Sequence, residues 1–517
     1  MAHYNLQRLI DYFNISLDED GLDTQNKGHI QHLRIDSRLV ESDDLFIALK
    51  GHTIDGCQFI PQAIEAGAIA VLVETDNCQQ HRQVDYYSFQ HRKIPLFYIF
   101  ELSKQLSAFA NHFYDYPSEK MPVIGITGTN GKTTISHLAA QWATLLNYKS
   151  AMLGTLGNGI YNQLEPSVNT TSSPVEIQSY LADFYKQNVK LVAMEVSSHG
   201  LVQNRVKDIT FAASLFTNLS RDHLDFHNTM QAYQQAKWSL FTPNKAESAV
   251  KSAGKRIINF DDHVGQQWIT MLDEVIVVSA KPENLAEIKT LKQPYVGVSH
   301  LTYHDKGVNI SLESSYGSAQ FNSALYGAFN VSNLLLAFSA LIALDYSFDD
   351  LIKTVEQLLP VCGRMEIFSA PDKATVVIDY AHTPDALDKA LAAVKDHCHG
   401  ALWVIFGCGG DRDKGKRPLM AKIAEYYSDH VIVANDNPRT EDPDAIIADI
   451  HQGFIQPDKT VVIKDRQQAI HYAIAHSNTN DIIIVAGKGH EDYQIIGKQK
   501  HHYSDRETVC QILGIAL

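Results

Sequence analysis

The sequence predicts an α/β protein of three domains built on mostly parallel sheets, and three observations carry that expectation. Residues 120–361 alternate short apolar runs (PVIGIT, KLVAMEVSS, FAASLFTNLS) with helix-length patterns (TTISHLAAQWATLLN, QAYQQAKWSLF), as buried parallel strands and their crossover helices do. Residues 362–517 repeat the device in ATVVIDYAHTPD, ALWVIFGCGGDRD, HVIVANDNPRTEDP and DIIIVAGKGHED, each an apolar strand ending in a polar or glycine-rich turn. A length of 517 residues corresponds to three or four domains at about 150 residues each. Ligands of open α/β sheets bind beyond the carboxyl ends of the strands, where these turns cluster.

Taken in chain order, MAHYNLQRLIDYFNISLDED reads as a short amphipathic helix, and LSKQLSAFANHFYDY as a helix-spaced apolar segment. Two prolines and polar residues in DYPSEKMP (115–122) then separate that segment from the strand-like VIGIT. A second break falls at LPVCGRMEIF (359–368), after the helical run DDLIKTVEQLL. The expected domains are therefore 1–119, 120–361 and 362–517.

Composition excludes several classes. A 45% hydrophobic and 20% charged chain with 29 glycines and 16 prolines is neither disordered nor fibrous. Forty-four basic against 59 acidic residues give a net charge of −15, which repels phosphate backbones and argues against a nucleic-acid partner. No apolar run is long enough to span a membrane, and the N-terminus lacks the basic and apolar regions of a signal peptide. The six cysteines are scattered without a CxxC pair, so we expect reduced thiols in the cytoplasm.

The strongest local signal is GTNGKTT, Gly128 to Thr134, directly after a strand and opening a helix. A glycine-rich turn there aims backbone N–H groups at phosphate, Lys132 neutralises charge, and Thr133 can reach a magnesium ion. Strict Walker A spacing would need a glycine where Ile126 stands, so the loop is a shortened variant. Glu195 ends the strand KLVAMEVSS, where a carboxylate can share that magnesium; taken alone it reads as a solvated residue. NLSRDHLDFH supplies His223 and His227 with Asp222 and Asp225, equally a cation site or a hydrated loop. Lys237 reads by composition as a plain surface helix lysine. In GDRDKGKRP, Arg412, Lys414, Lys416 and Arg417 favour an anionic ligand over a solvated loop, and Arg439 either pairs with its acidic neighbours or offers its fork to a carboxylate.

GTNGKTT, MEVSSHGL, NLSRDHLDFH, AKWSLF, GAFNVSN, GRME, DYAHTPDAL, FGCGGDRDKGKRP, DNPRTEDP and AGKGHE, in this order, resemble the Mur ligases. The resemblance runs from DSR at 36–38 to GKGHE at 487–491. It implies an N-terminal nucleotide-sugar domain, a central P-loop ATPase-type domain with a parallel sheet, and a C-terminal Rossmann-like domain that brings an amino acid. It further implies a monomeric ligase that uses ATP and Mg2+ to add meso-diaminopimelate to the D-glutamate side-chain carboxylate of UDP-N-acetylmuramoyl-L-alanyl-D-glutamate, through an acyl phosphate, in peptidoglycan precursor synthesis.

By the same resemblance Ile35, Ser37, Thr53, Ile54, Asp55, Asn169, Thr170, Thr171, Ser197, Gln203 and Arg205 would bind the UDP-muramoyl-dipeptide. Gly128, Thr129, Asn130, Gly131, Lys132, Thr133 and Thr134 would hold the ATP phosphates, with Asn330, Arg364 and Asp379 completing the nucleotide site. Thr133 and Glu195 would hold one magnesium, and His223 with a carbamylated Lys237 a second. Arg412, Asp436, Asn437, Pro438, Arg439, Gly487 and Glu491 would bind diaminopimelate, Arg439 choosing it over lysine by the extra carboxylate. The segment QNR departs mildly from a QHR carried by relatives. Two other readings compete: a folylpolyglutamate synthetase with a similar GTNGK loop, which DSR, NTTS and DNPR oppose, and a P-loop switch or transport ATPase needing no acceptor.

Overall fold

The computed structural model describes residues 4–17, 28–51, 55–90, 92–242, 250–304 and 307–517, and the chain divides into two compact units. The first comprises residues 1–136 and 147–257, the second residues 137–146 and 258–517. The expected α/β class is what is seen: the apolar runs of the sequence become parallel strands.

The first unit holds two sheets. Near the N-terminus the strands run in the order Leu33–Arg34, Leu45–Ala48, Ala70–Thr75, Arg92–Phe100 and Val84–Phe89, all parallel except the last pair. The predicted N-terminal amphipathic helix, Leu6–Phe13, is capped by Asn5 and buries Leu6, Leu9, Ile10 and Phe13 against this sheet's core. The helix Leu102–Phe113 joins it there. In the second sheet the parallel strands Ala213–Phe216, Val123–Thr127, Leu191–Glu195 and Ser150–Gly154 lie side by side. Val123–Thr127 and Leu191–Glu195 are buried throughout, so both faces are covered, which explains their unbroken apolar character. An antiparallel ribbon, Gly157–Ile160 with Gln163–Glu165, extends the edge.

In the second unit an antiparallel meander, Tyr295–His304, Gly307–Ser314 and Gly317–Ser323, follows the parallel strand Val275–Val278. These ribbons alternate polar and apolar residues, as one-sided sheets do, and composition alone gave no strand signal for them. Their neighbour is the helix Ala328–Ala343, buried on nearly every side, with Phe338 tilted against Trp142. The C-terminal sheet has the order Glu366–Phe368, Thr375–Asp379, Ile482–Ala486, Leu402–Phe406, His430–Val433, Thr460–Val462. All its pairs are parallel except the first. The four segments predicted as strands in residues 362–517 are its four central strands, with apolar clusters on both faces. A separate hairpin, Tyr493–Ile496 with Gln499–His502, follows.

One buried ion pair fixes the carboxyl end of this sheet. Arg466 Nε and Nη2 donate to the two Asp505 oxygens at 2.8 and 2.9 Å, and Nη2 also donates to the Ala486 carbonyl at 2.8 Å. Tyr503 Oη adds a bond to Asp505 at 2.9 Å. Removing the cation strands the Asp505 carboxylate in the interior. Arg466→Met is therefore expected to cost about 3–5 kcal/mol, seen as a lower urea midpoint for the second unit's transition. An unchanged midpoint would contradict this role for the pair.

Candidate active site

The phosphate-loop candidate occupies the turn after Val123–Thr127 and opens the helix Lys132–Leu145, as expected. Gly128 and Gly131 have φ of +150° and +87°, and a Cβ on Gly128 would lie 1.8 Å from Thr217 Oγ1, so glycine is required there. The loop is stitched to the segment after the neighbouring strand. Thr129 N donates to Asn218 O at 2.8 Å, Asn130 N to Asn218 Oδ1 at 3.0 Å, and Thr217 Oγ1 to Asn130 O at 2.6 Å. Lys132 Nζ folds over the turn, donating to the Gly128 and Thr129 carbonyls, both at 2.9 Å.

Glu195 is not a solvated strand end. Only 1% exposed, its carboxylate accepts from Thr133 Oγ1 at 2.9 Å, from Thr155 N at 2.8 Å and from Thr155 Oγ1 at 3.2 Å. Thr155 Oγ1 in turn accepts from Thr170 Oγ1 at 3.1 Å. Thr171 Oγ1 donates to the Glu195 carbonyl at 3.0 Å and accepts from Ser197 N at 2.9 Å, and the Thr171 carbonyl accepts from Arg205. Arg205 also donates to Gln203. The structure thus gathers Thr133, Glu195, Thr170, Thr171, Ser197, Gln203 and Arg205 into one hydrogen-bonded chain, with Asn169 exposed at its edge. Elsewhere in this unit Ser37 Oγ donates to Gln62 at 3.2 Å, Asp55 accepts from Cys57 N at 2.9 Å, and Ile35 packs against the core. Thr53 and Ile54 lie outside the described residues, as does the side chain of Asp225.

Lys237 is not a surface lysine: it is 1% exposed, with Nζ donating to the Gly128 carbonyl at 2.8 Å and lying 4.5 Å from the Tyr233 ring centre. Burial, and then the Lys132 charge, push its amine well below the ordinary lysine range. The helix Met230–Trp238 buries Tyr233, Ala236 and Lys237 at i, i+3 and i+4, a spacing that was present in the sequence but masked by the glutamines around it. His223 and His227, read equally as a cation site or a hydrated loop, sit in different surroundings. His223 has φ +53° and precedes the short helix Leu224–His227. His223 is exposed, with Nε2 3.4 Å from Asp222, whereas His227 is buried with Nε2 2.9 Å from Ser198 Oγ.

Among the described residues no group of three or more His, Cys, Asp or Glu side chains is placed to hold a metal. The Thr133 hydroxyl and Glu195 carboxylate form a buried oxygen pair at the phosphate loop, which suits a hard cation that keeps several waters and binds substrate phosphates.

In the second unit Asn330 is buried at the start of its helix, donating to Tyr326 O at 2.9 Å. The Arg364 guanidinium lies 4.5 Å from the Tyr380 ring centre, and its buried Nε has no hydrogen-bond partner among the described residues. Asp379 accepts from Met365 N and Ala381 N, both at 2.8 Å; burial raises its carboxyl above the usual range while Arg364 draws it down. The acceptor candidates also converge. Gly487 N donates to Asp379 O at 3.0 Å, and a Cβ on Gly487 would lie 2.7 Å from Asp436 Oδ2. Glu491 Oε2 accepts from Asn437 Nδ2 and from Lys488 Nζ, both at 3.1 Å. The buried Lys488, which carried no signal in the sequence, is part of this set.

Arg439 Nη1 donates to Gly410 O at 3.0 Å instead of pairing with its acidic neighbours, and Pro438 is buried beside it. Arg412 is exposed at the same loop. Arg417, counted with the loop cations, is instead buried between Glu441 and Asp449, while Lys414 pairs with Glu441 and Lys416 bonds His382 O.

Comparison with known proteins identifies the family. Family models match in order: "Mur ligase family, catalytic domain" over residues 29–114, "Mur ligase middle domain" over 126–341 and "Mur ligase, glutamate ligase domain" over 363–489. A curated UDP-N-acetylmuramoyl-L-alanyl-D-glutamate--2,6-diaminopimelate ligase of Haemophilus influenzae is 46% identical over 508 residues, covering 98% of this chain and all of that one. A solved structure of a ligase bearing the same name is 32% identical, with a TM-score of 0.66 and 99% of both chains covered. The folylpolyglutamate synthase of Mycobacterium tuberculosis, at 18% identity, TM-score 0.55 and coverage of 74% of this chain and 92% of that one, shares the fold. With close identity along nearly its whole length and all three family models matched in order, the chain belongs to the Mur ligase family.

Proposed function

We propose that the chain is an ATP-dependent amide ligase that adds meso-diaminopimelate to the D-glutamate side-chain carboxylate of UDP-N-acetylmuramoyl-L-alanyl-D-glutamate. The observation that carries this reading is the Glu195 carboxylate, which joins the phosphate loop through Thr133 to the NTTS segment through Thr155 and Thr170. A phosphoryl donor and a carboxylate to be activated need such adjacency. The name of the 46% identical relative supports the same substrates. We retain three domains, 1–119, 120–361 and 362–517, in keeping with the residues the three family models match. Among the described residues no helix is long and apolar enough to cross a membrane, and we take the enzyme to work as a monomer in the cytoplasm on these small substrates.

In the reaction the substrate carboxylate attacks the γ-phosphorus of ATP, ADP leaves, and an acyl phosphate forms. The amine of diaminopimelate then attacks the acyl carbon, loses a proton, and inorganic phosphate departs from the tetrahedral intermediate. Backbone N–H groups of Gly128 to Thr134 and the Lys132 ammonium offset the gathering negative charge. Asn330, Arg364 and Asp379 are assigned to the rest of the nucleotide. Ile35, Ser37, Thr53, Ile54, Asp55, Asn169, Thr170, Thr171, Ser197, Gln203 and Arg205 are assigned to the UDP-muramoyl-dipeptide. Mg2+ held by Thr133 and Glu195 would neutralise phosphate charge when bound. A second such site is assigned to His223 and Lys237, the latter as a carbamate: its neutral amine adds to CO2, the N–C bond forms and the proton leaves to solvent.

Two outcomes are expected. ADP release with the nucleotide substrate should require diaminopimelate, lysine being poorer by roughly 10⁴ because it lacks the second carboxylate assigned to Arg439. Arg439→Ala should lose this preference through a raised KM for diaminopimelate while its Tm stays close to that of the parent; a parent enzyme using lysine equally well would contradict the acceptor assignment. Second, enzyme equilibrated with 13C-bicarbonate should show a carbamate carbon signal absent from Lys237→Ala, whose residual activity short carboxylates should partly restore. An active parent enzyme without that signal would contradict the modification.

A further inference from the structure

Arg417 opens the helix Lys416–Tyr427 and has no solvent-exposed side-chain surface. Its fork donates to both Glu441 oxygens, at 2.8 and 2.7 Å, with Nη1 also reaching Asp449 at 2.8 Å and Nη2 the Gly409 carbonyl at 3.2 Å. Glu441 passes this anchorage on, accepting from Asp411 N at 3.1 Å. Asp411 in turn accepts from Thr440 N at 3.0 Å and Thr440 Oγ1 at 2.8 Å. Gly410 N donates to Asn437 O at 3.0 Å. The segments carrying Arg412 and Arg439 are thus bound into one body around a buried cation. Their approach is close: a Cβ on Gly410 would lie 2.0 Å from Pro438 O, and one on Gly409 would lie 2.8 Å from Arg439 Nη1. From the other side the hairpin holds the Arg439 backbone, which has φ +52°, by Arg439 N to Ile495 O at 3.0 Å and Gly497 N to Arg439 O at 2.7 Å.

We propose that Arg417, acting through Glu441, is a positioning residue that sets the separation of Arg412 and Arg439 and so tunes selection of an acceptor with a second carboxylate. This rests on the acceptor assignment above. Arg417 has two sets of partners with separable duties, although Nη1 serves both. The Asp449 arm ties its helix to the helix Pro443–His451, a stabilising link. The Glu441 and Gly409 arm ties together the two segments that carry the acceptor arginines. A lysine, with one point of charge, cannot make the fork to both Glu441 oxygens and also reach Gly409.

The test measures KM and kcat for diaminopimelate, lysine, ATP and the nucleotide substrate in Glu441→Gln, Arg417→Lys and Asp449→Asn, with Tm for each. Glu441→Gln and Arg417→Lys should raise KM for diaminopimelate roughly tenfold or more and narrow its advantage over lysine equally. Their kcat at saturating diaminopimelate, and KM for ATP and the nucleotide, should hold. Asp449→Asn should lower Tm and leave the acceptor preference intact. If Arg417→Lys does not fold, Glu441→Gln carries the test alone. The proposal is overturned if Glu441→Gln alters only Tm, if all KM values rise together, or if Asp449→Asn shifts the acceptor preference as much. A parent enzyme indifferent to the acceptor overturns the acceptor assignment and this proposal together; a selective parent with unchanged variants overturns only this one.

Discussion

A buried carboxylate at the end of one strand organises the first unit. Glu195 is taken out of water almost completely, and an uncompensated carboxylate there would be costly. Three donors from Thr133 and Thr155 satisfy it. Thr133 belongs to the phosphate loop, and Thr155 to the turn that leads to the NTTS segment. Parallel pairing of Leu191–Glu195 with both Val123–Thr127 and Ser150–Gly154 delivers those segments to the same sheet edge. The backbone also makes room. A Cβ on Gly154 would sit 2.3 Å from Glu195 Oε1, so the carboxylate's position depends on glycine at that strand end.

The second unit solves a related problem with buried cations. Arg466 braces the end of the strand Ile482–Ala486 through Ala486 O, one residue before Gly487. Arg417 braces the two arginine-bearing turns through Glu441. Lys488 and Asn437 hold Glu491. In each case the cation donates to several acceptors inside the protein, whereas Arg412 is exposed and the Arg439 guanidinium donates to the Gly410 carbonyl.

The parallel strands singled out were legible because strands covered on both faces read as unbroken apolar runs, whereas the equally buried Leu45–Ala48, Ala70–Thr75 and Ser150–Gly154 were not singled out. The antiparallel ribbons at 157–165 and 295–323 were not legible, because their one-sided alternation resembles polar loop composition. The phosphate loop announced itself through glycine spacing. Lys237 did not: its burial depends on tertiary contact with Gly128, 109 residues away in the chain, and only the i, i+3, i+4 spacing with Tyr233 and Ala236 hinted at it. Arg417 misled for the opposite reason. A run of basic residues has no local sign telling which one turns inward, and its partners lie 24 and 32 residues away. The roles given to the muramoyl and acceptor residues came from resemblance to the family, and local pattern had no means of supplying them.

The claim that Glu195 couples the phosphate loop to the site of carboxylate activation is tested most directly by moving that carboxylate without removing it. Gly154→Ala does so, since the added methyl group displaces Oε1 from the Thr155 amide. Titrating Mg2+ against the rate of ADP release in this variant and the parent enzyme reads the effect. We expect a roughly tenfold or greater rise in the Mg2+ concentration for half-maximal rate, with an unchanged circular dichroism spectrum. Matching Mg2+ titrations and rates for the two proteins would contradict it.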